Sequence, residues 1–137
     1  MSEQANTQLV QQAYQLFKAG NIQSFLNLLA EDVLWFMPEM ANVPFARTWR
    51  GRHQVGQFFK LLSEVQDVVE FEPEEFIAQG DKVVVLGRFT MRVKATGRAS
   101  RSAWAHVWTV EGGTVSYVRE YVDTLAVSRA HNLAQAD

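Results

Sequence analysis

Residues 99–123, ASRSAWAHVWTVEGGTVSYVREYVD, decide the fold. Polar and apolar types alternate with period two on both sides of Glu111-Gly112-Gly113, which reads as two antiparallel strands joined by a tight hairpin. On the first strand Trp104, His106, Trp108 and Val110 share one face. On the returning strand Val118, Glu120 and Val122 share a face, and Arg119, Tyr121 and Asp123 take the other. A three-residue loop at Glu111–Gly113 pairs even positions with even ones and sets His106 and Glu120 side by side. A two-residue Gly-Gly loop would break that parity.

Working upstream, residues 68–79 and 82–95 alternate in the same way, with turn signals at Gly80-Asp81 and Thr96-Gly97. With 99–110 and 114–123 they predict a meander of antiparallel strands. The N-terminal part has a different period. Leu9, Ala13, Leu16 and Phe17 form one stripe of a helix over residues 6–19, which Gly20-Asn21 ends. Ile22, Phe25, Leu26 and Leu29 share a face of a second, short helix. Val33–Met37 is a strand-like run stopped by Pro38. Residues 38–50 hold Pro38, Pro44, Phe45 and Trp49 without a period and read as a loop over something apolar. A third helix over Arg52–Val65 buries Val55, Phe58, Phe59, Leu62 and Val65. The expected architecture is α+β: three N-terminal helices packed on a strongly bent antiparallel sheet, with an apolar hollow between them.

The 137 residues fit a single domain, with its core over about residues 8–125 and a C-terminal tail over 126–137. The absence of cysteine excludes thiol catalysis, thiolate metal sites and disulfides. A net charge of −2 argues against nucleic acid as a partner. No apolar run approaches a membrane span, and the start MSEQANTQ lacks the layout of a signal peptide, so the cytoplasm is the expected location. His53, His106 and His131 lie far apart without metal-ligand spacing, so no metal is expected. Nine Phe, four Trp and three Tyr are more than a small core requires and point to an aromatic-walled pocket.

Charge is segregated. Glu64, Asp67, Glu70, Glu72, Glu74, Glu75 and Asp81 fall between Lys60 and Lys82 with no base among them. Lys82, Arg88, Arg92, Lys94, Arg98 and Arg101 follow with no acid before Glu111. Adjacent strands of opposite charge would pair across the ladder; an anion-binding face is the other reading. Arg88 shares even parity with Val84, Leu86 and Thr90. If that face is buried, Arg88 needs a partner, for which Glu120 is the natural group. Tyr117, Arg119 and Tyr121 form an outward stripe suited to a sheet face or a dimer contact.

His106 beside Glu120 among aromatics is an acid/base pair in physical terms: the carboxylate orients the imidazole, and their environments can supply one donor and one acceptor. A buried structural hydrogen bond is the other reading, and spacing does not separate the two.

The order of elements resembles the SnoaL-like branch of the nuclear-transport-factor-2-like superfamily, which also holds ketosteroid isomerase, scytalone dehydratase and limonene epoxide hydrolase. The resemblance is carried by Lys18-Ala-Gly-Asn21, Ala30-Glu-Asp-Val33 with Trp35 and Pro38, and Trp49-Arg-Gly51 with Val55 and Phe58-Phe59. Gly80-Asp-Lys-Val-Val-Val85, Thr96-Gly97, Trp104-Ala-His-Val-Trp108 and Arg119-Glu-Tyr-Val-Asp-Thr124 complete it. It implies a cone-shaped barrel with a deep pocket between sheet and helices, and a homodimer formed through the outer sheet face. The isomerases' helix tyrosine falls near Ala13, with Tyr14 one step around. Their general-base aspartate falls at Met37, which cannot abstract a proton and so speaks against ordinary ketosteroid isomerisation. Their oxyanion-hole aspartate falls at His106, a place that resembles the histidine of SnoaL-type polyketide cyclases, whose catalytic aspartate falls at Glu120.

The resemblance therefore implies a cofactor-free isomerase or cyclase acting on a small apolar carbonyl or polycyclic molecule. Glu120 would take a proton and His106 would bond the developing enolate oxygen. Phe17, Trp35, Met37, Trp104, Val118 and Val122 would wall the site, Phe45 or Trp49 would close it, and Arg88 would orient the carboxylate or an anionic substrate group. A non-catalytic module for a small apolar ligand is the alternative. Dehydratase or epoxide-hydrolase water chemistry is the third, and Arg88 and Asp123 are its only material.

Overall fold

The computed structural model describes residues 2–135; the last two residues of the expected tail lie outside them. Helix α1 (Glu3–Lys18) starts where the Ser2 hydroxyl accepts the Ala5 N–H at 3.0 Å, with Glu3 in the first turn and Lys18 in the last. It ends at Gly20, whose φ of 75° is the left-handed conformation that glycine adopts without strain. The centre of its inward face is Val10, Ala13 and Tyr14. Leu9, Leu16 and Phe17 flank that face half-buried, so the helix is rotated by a fraction of a turn from the expected stripe.

Helix α2 (Ile22–Leu26) is capped by the Asn21 side chain. Strand β1 (Leu29–Phe36) follows, beginning earlier than the expected Val33. The loop after Pro38 returns as a short strand, β2 (Thr48–Arg50), paired antiparallel to β1 through Trp35 and Trp49. Helix α3 (Gly51–Val65) leads into the meander of β3 (Gln66–Gln79), β4 (Lys82–Val93), β5 (Ala99–Glu111) and β6 (Thr114–Val122). Where a plain tail was expected, a fourth helix, α4 (Thr124–His131), is capped by the Asp123 side chain and packs on β5.

The single sheet has the order β2-β1-β6-β5-β4-β3. It is mixed rather than wholly antiparallel, because β1 lies parallel to β6, with Trp35 beside Val118. A long crossover through α3 and the meander separates these two strands in sequence, which is what parallel neighbours require. The sheet is open, and its curvature is compatible with a cone. The helices fill its concave side.

Two expectations about this sheet meet different outcomes. The acidic and basic strands are neighbours, as cross-strand pairing requires: β3 pairs β4 along its length, and Lys94 reaches Asp67 at 3.7 Å. Arg88 does share its parity with Val84, Leu86 and Thr90, but that face is not the buried one. On β4 the buried set is Val83, Val85, Phe89, Met91 and Val93, so the even face points outward. Valines at both parities over 83–85 hide the phase, and only Phe89, Met91 and Val93 reveal it.

One buried group couples this fold to pH. His131 on α4 is 6% exposed, its Nε2 has no partner among the described residues, and its ring meets the edge of Phe45. Burial pushes its pKa below the ordinary 6.5. A depressed histidine is protonated more readily in the unfolded chain, so stability is expected to be flat at higher pH and to fall as pH drops below about 6.5. His131→Leu should flatten that slope in urea titrations run across the range. A slope unchanged in the variant would place its origin elsewhere.

Candidate functional site

The hairpin delivers the pair by an unexpected route. The turn is the two-residue Gly112-Gly113, with Glu111 opposite Thr114, which by itself would put even positions opposite odd ones. Both glycines have positive φ, 57° and 81°, as such a turn requires. A bulge between Thr109 and Val110 in the β5–β6 register then restores the parity, and His106 pairs directly with Glu120.

His106 Nε2 lies 2.6 Å from Glu120 Oε2, with both side chains mostly buried. The other ring nitrogen, Nδ1, lies 2.7 Å from the hydroxyl of Tyr14 on α1. Trp108 Nε1 donates to that same hydroxyl at 2.9 Å. The direction of the chain follows from its first member. An indole N–H only donates, so Tyr14 Oη accepts there and its own proton points to His106 Nδ1. Burial, with a smaller push from the Glu120 charge, raises the Tyr14 pKa well above its ordinary value, so the phenol keeps that proton. His106 Nδ1 is therefore an acceptor, and the proton on Nε2 points at Glu120. Every donor in the series Trp108, Tyr14, His106 aims toward one carboxylate.

Aromatic rings hold this chain in place. Trp104 stacks on His106 with centroids 4.0 Å apart and 18° between planes, and Phe71 stacks on Trp104 at 5.1 Å. Tyr14→Phe should preserve these ring contacts while leaving both Trp108 Nε1 and His106 Nδ1 without a partner. The expected loss is about 2–4 kcal/mol of folding stability, measured by urea unfolding. A variant as stable as wild type would show that the hydroxyl is not the junction described.

His106 and Glu120 lie on the wall of a cavity of about 90 Å³, with Phe17, Trp35, Met37, Phe45, Val118 and Val122 among its lining. Three expected members lie elsewhere. Trp104 is behind His106 and braces it. Trp49 supports the loop from below: its indole donates to Phe45 O at 3.1 Å, and Arg47 lies 3.6 Å above its ring. Arg88 is on the outer face, bonding Glu70 at 2.8 Å and Glu74 at 3.2 Å rather than Glu120. Asp123 is spent on capping α4. Among the described residues the Arg/Asp material for water or epoxide chemistry is thus absent from the lining.

The sequence reading missed Tyr14, Met40, Phe71, Phe89, Met91, Ser100 and Trp108 as lining residues. Trp108 and Ser100 share the parity of His106, a signal that was there to be used. The loop after Pro38 does cover the cavity with Phe45 and Met40, and Ser128 of α4 ties it down through Ala41 O at 2.7 Å. Among the described residues no helix is long and apolar enough to cross a membrane.

Comparison with known proteins agrees with this architecture. The chain is similar to an NTF2-like protein from Burkholderia xenovorans LB400, with 38% identity over 96% of this chain and 99% of that one and a TM-score of 0.88. It is similar to TerC, co-crystallized with polyporic acid, with 26% identity over 93% and 98% of the chains and a TM-score of 0.82. A Mesorhizobium loti protein described as a SnoaL-like polyketide cyclase shares the fold at 21% identity, 83% and 96% coverage and a TM-score of 0.70. No curated protein matches the chain. The SnoaL-like domain matches residues 10–118, most of the length, and the chain belongs to that SnoaL-like family with the NTF2-like fold.

Proposed function

We propose that the protein is a cofactor-free proton-transfer enzyme of the isomerase or cyclase type, with Glu120 as the base. The observation that carries this reading is the state of that carboxylate. Glu120 Oε2 receives the His106 proton, and the side chain sits on the wall of an apolar cavity with Oε1 engaged by no described group. A carboxylate that is oriented from one side and open on the other can take a proton from carbon alpha to a carbonyl. Protonated, it becomes a weaker acceptor and releases the Nε2–H of His106 toward the developing enolate oxygen. The phenol of Tyr14 keeps His106 in the tautomer this step needs. The substrate class is a small apolar carbonyl compound, in keeping with the almost wholly apolar lining and with the co-crystallization of TerC with polyporic acid.

The test is deuterium exchange at the acidic carbon of 2-tetralone, a two-ring apolar ketone, followed by NMR with wild-type protein and Glu120→Gln. Exchange above background that vanishes in the variant supports the reading; equal rates overturn it. The second reading, a binding module, is favoured by one observation: both ring nitrogens of His106 are already used inside the protein. It predicts tight ligand binding with no exchange in either protein.

A further inference from the structure

Four buried side chains (Asn6, Ser100, Trp104 and His131) hold polar atoms that find no partner among the described residues. Of these, only Ser100 faces the cavity. It opens β5 opposite Met91, is 2% exposed, and shares the inward parity of His106. Two nearby hydroxyls, by contrast, are bonded. Two residues on, Ser102 Oγ accepts the Asp123 N–H at 2.9 Å, and nearby Thr96 Oγ1 donates to Ala130 O at 2.6 Å. An unpartnered buried hydroxyl is costly, and in a cavity wall a ligand oxygen can complete it.

We propose that Ser100 is a second polar contact for the ligand, and that the cavity takes an elongated apolar molecule bearing a neutral oxygen function at each end. The proposal rests on Glu120 as the other pole. Six residues separate Ser100 from His106, roughly 20 Å of straight strand and less along a concave one. Among the described residues the far pole is lined by Phe89, Met91 and Val127 with no charged group, so it accepts a hydroxyl or carbonyl and rejects a carboxylate or ammonium. Met37, Met40 and Met91 line the cavity and are the side chains that adapt most readily to such a length.

The probes are 4-phenylphenol, with one hydroxyl, and 4,4′-dihydroxybiphenyl, with one at each end. Both are titrated calorimetrically into the full-length wild type, Ser100→Ala and Glu120→Gln. Ser100→Ala is expected to weaken the diol about 3- to 10-fold and to leave 4-phenylphenol unchanged, which also certifies that the variant is folded. Glu120→Gln is expected to weaken both probes alike. Equal effects of Ser100→Ala on the two probes, or none on either, overturn the proposal. A selective effect of Ser100→Ala with no effect of Glu120→Gln retains the Ser100 contact and removes Glu120 as the opposite pole. Failure of wild type to bind either probe removes both.

Discussion

Glu120→Gln is expected to slow proton exchange on 2-tetralone by about 10²- to 10⁴-fold, the range over which a positioned general base contributes. The substitution is close to isosteric, and the amide oxygen can still accept the Nε2–H of His106. The chain from Trp108 through Tyr14 to His106 is then retained, and stability should change little. What disappears is basicity. Among the described residues no other carboxylate lines the cavity, so no described neighbour can take over the role. Glu120→Asp separates chemistry from placement. It keeps a carboxylate but draws it back by about one bond length from a partner now at 2.6 Å. A displacement on the order of 1 Å can cost about 10²-fold in rate, so Glu120→Asp should fall between wild type and Glu120→Gln. Rates ordered otherwise, with Glu120→Asp as slow as Glu120→Gln, would mean that position matters as much as charge. Exchange by Glu120→Gln at the wild-type rate would remove Glu120 from the mechanism.

The pairing of His106 with Glu120 was legible because strand parity is a local property, although the route to it was not. A Gly-Gly turn and a bulge each shift the register by one residue, and their effects cancel. Bulges depend on backbone geometry that residue types specify weakly. The parity of β4 was legible in Phe89, Met91 and Val93 but obscured by the valines before them. Tyr14 was missed for a different reason. On α1 the buried stripe of Asn6, Val10, Ala13 and Tyr14 is less apolar than the overlapping one of Leu9, Ala13, Leu16 and Phe17, and which of them turns inward is set by the sheet it meets, a tertiary fact. The parallel contact of β1 with β6 joins segments about 80 residues apart, and no short-range signal announces it. The exposed pairs of Arg88 with Glu70 and Glu74 were foreshadowed by the charge blocks, and they give Arg88 its partners without a ligand.

The support behind His106 makes a prediction about stability. Gly87→Ala should lower folding stability by about 3 kcal/mol and the melting temperature by roughly 10 °C. Gly87 sits at an inward position of β4, between Val85 and Phe89, where a side chain would be expected to fill the core. Instead it lies opposite Trp104 on β5 and Pro73 on β3, and the indole occupies the space above it. A Cβ added there would fall well inside contact distance of Trp104 Cζ2 and of the backbone oxygen of Glu72. The indole can move only by leaving its stack with His106 and Phe71; the carbonyl can move only with its strand. The damage should therefore register at the site as well as in the core. His106 ring protons lie under the Trp104 ring at 4.0 Å, and their NMR shifts should move toward ordinary values in the variant. Trp104→Phe in the same chain removes one of the two clashes and should return part of the stability, because contacting residues do not act additively. The Glu72 carbonyl still opposes the methyl, so recovery should be partial. Full additivity of the two substitutions would show that Gly87 is not making room for Trp104.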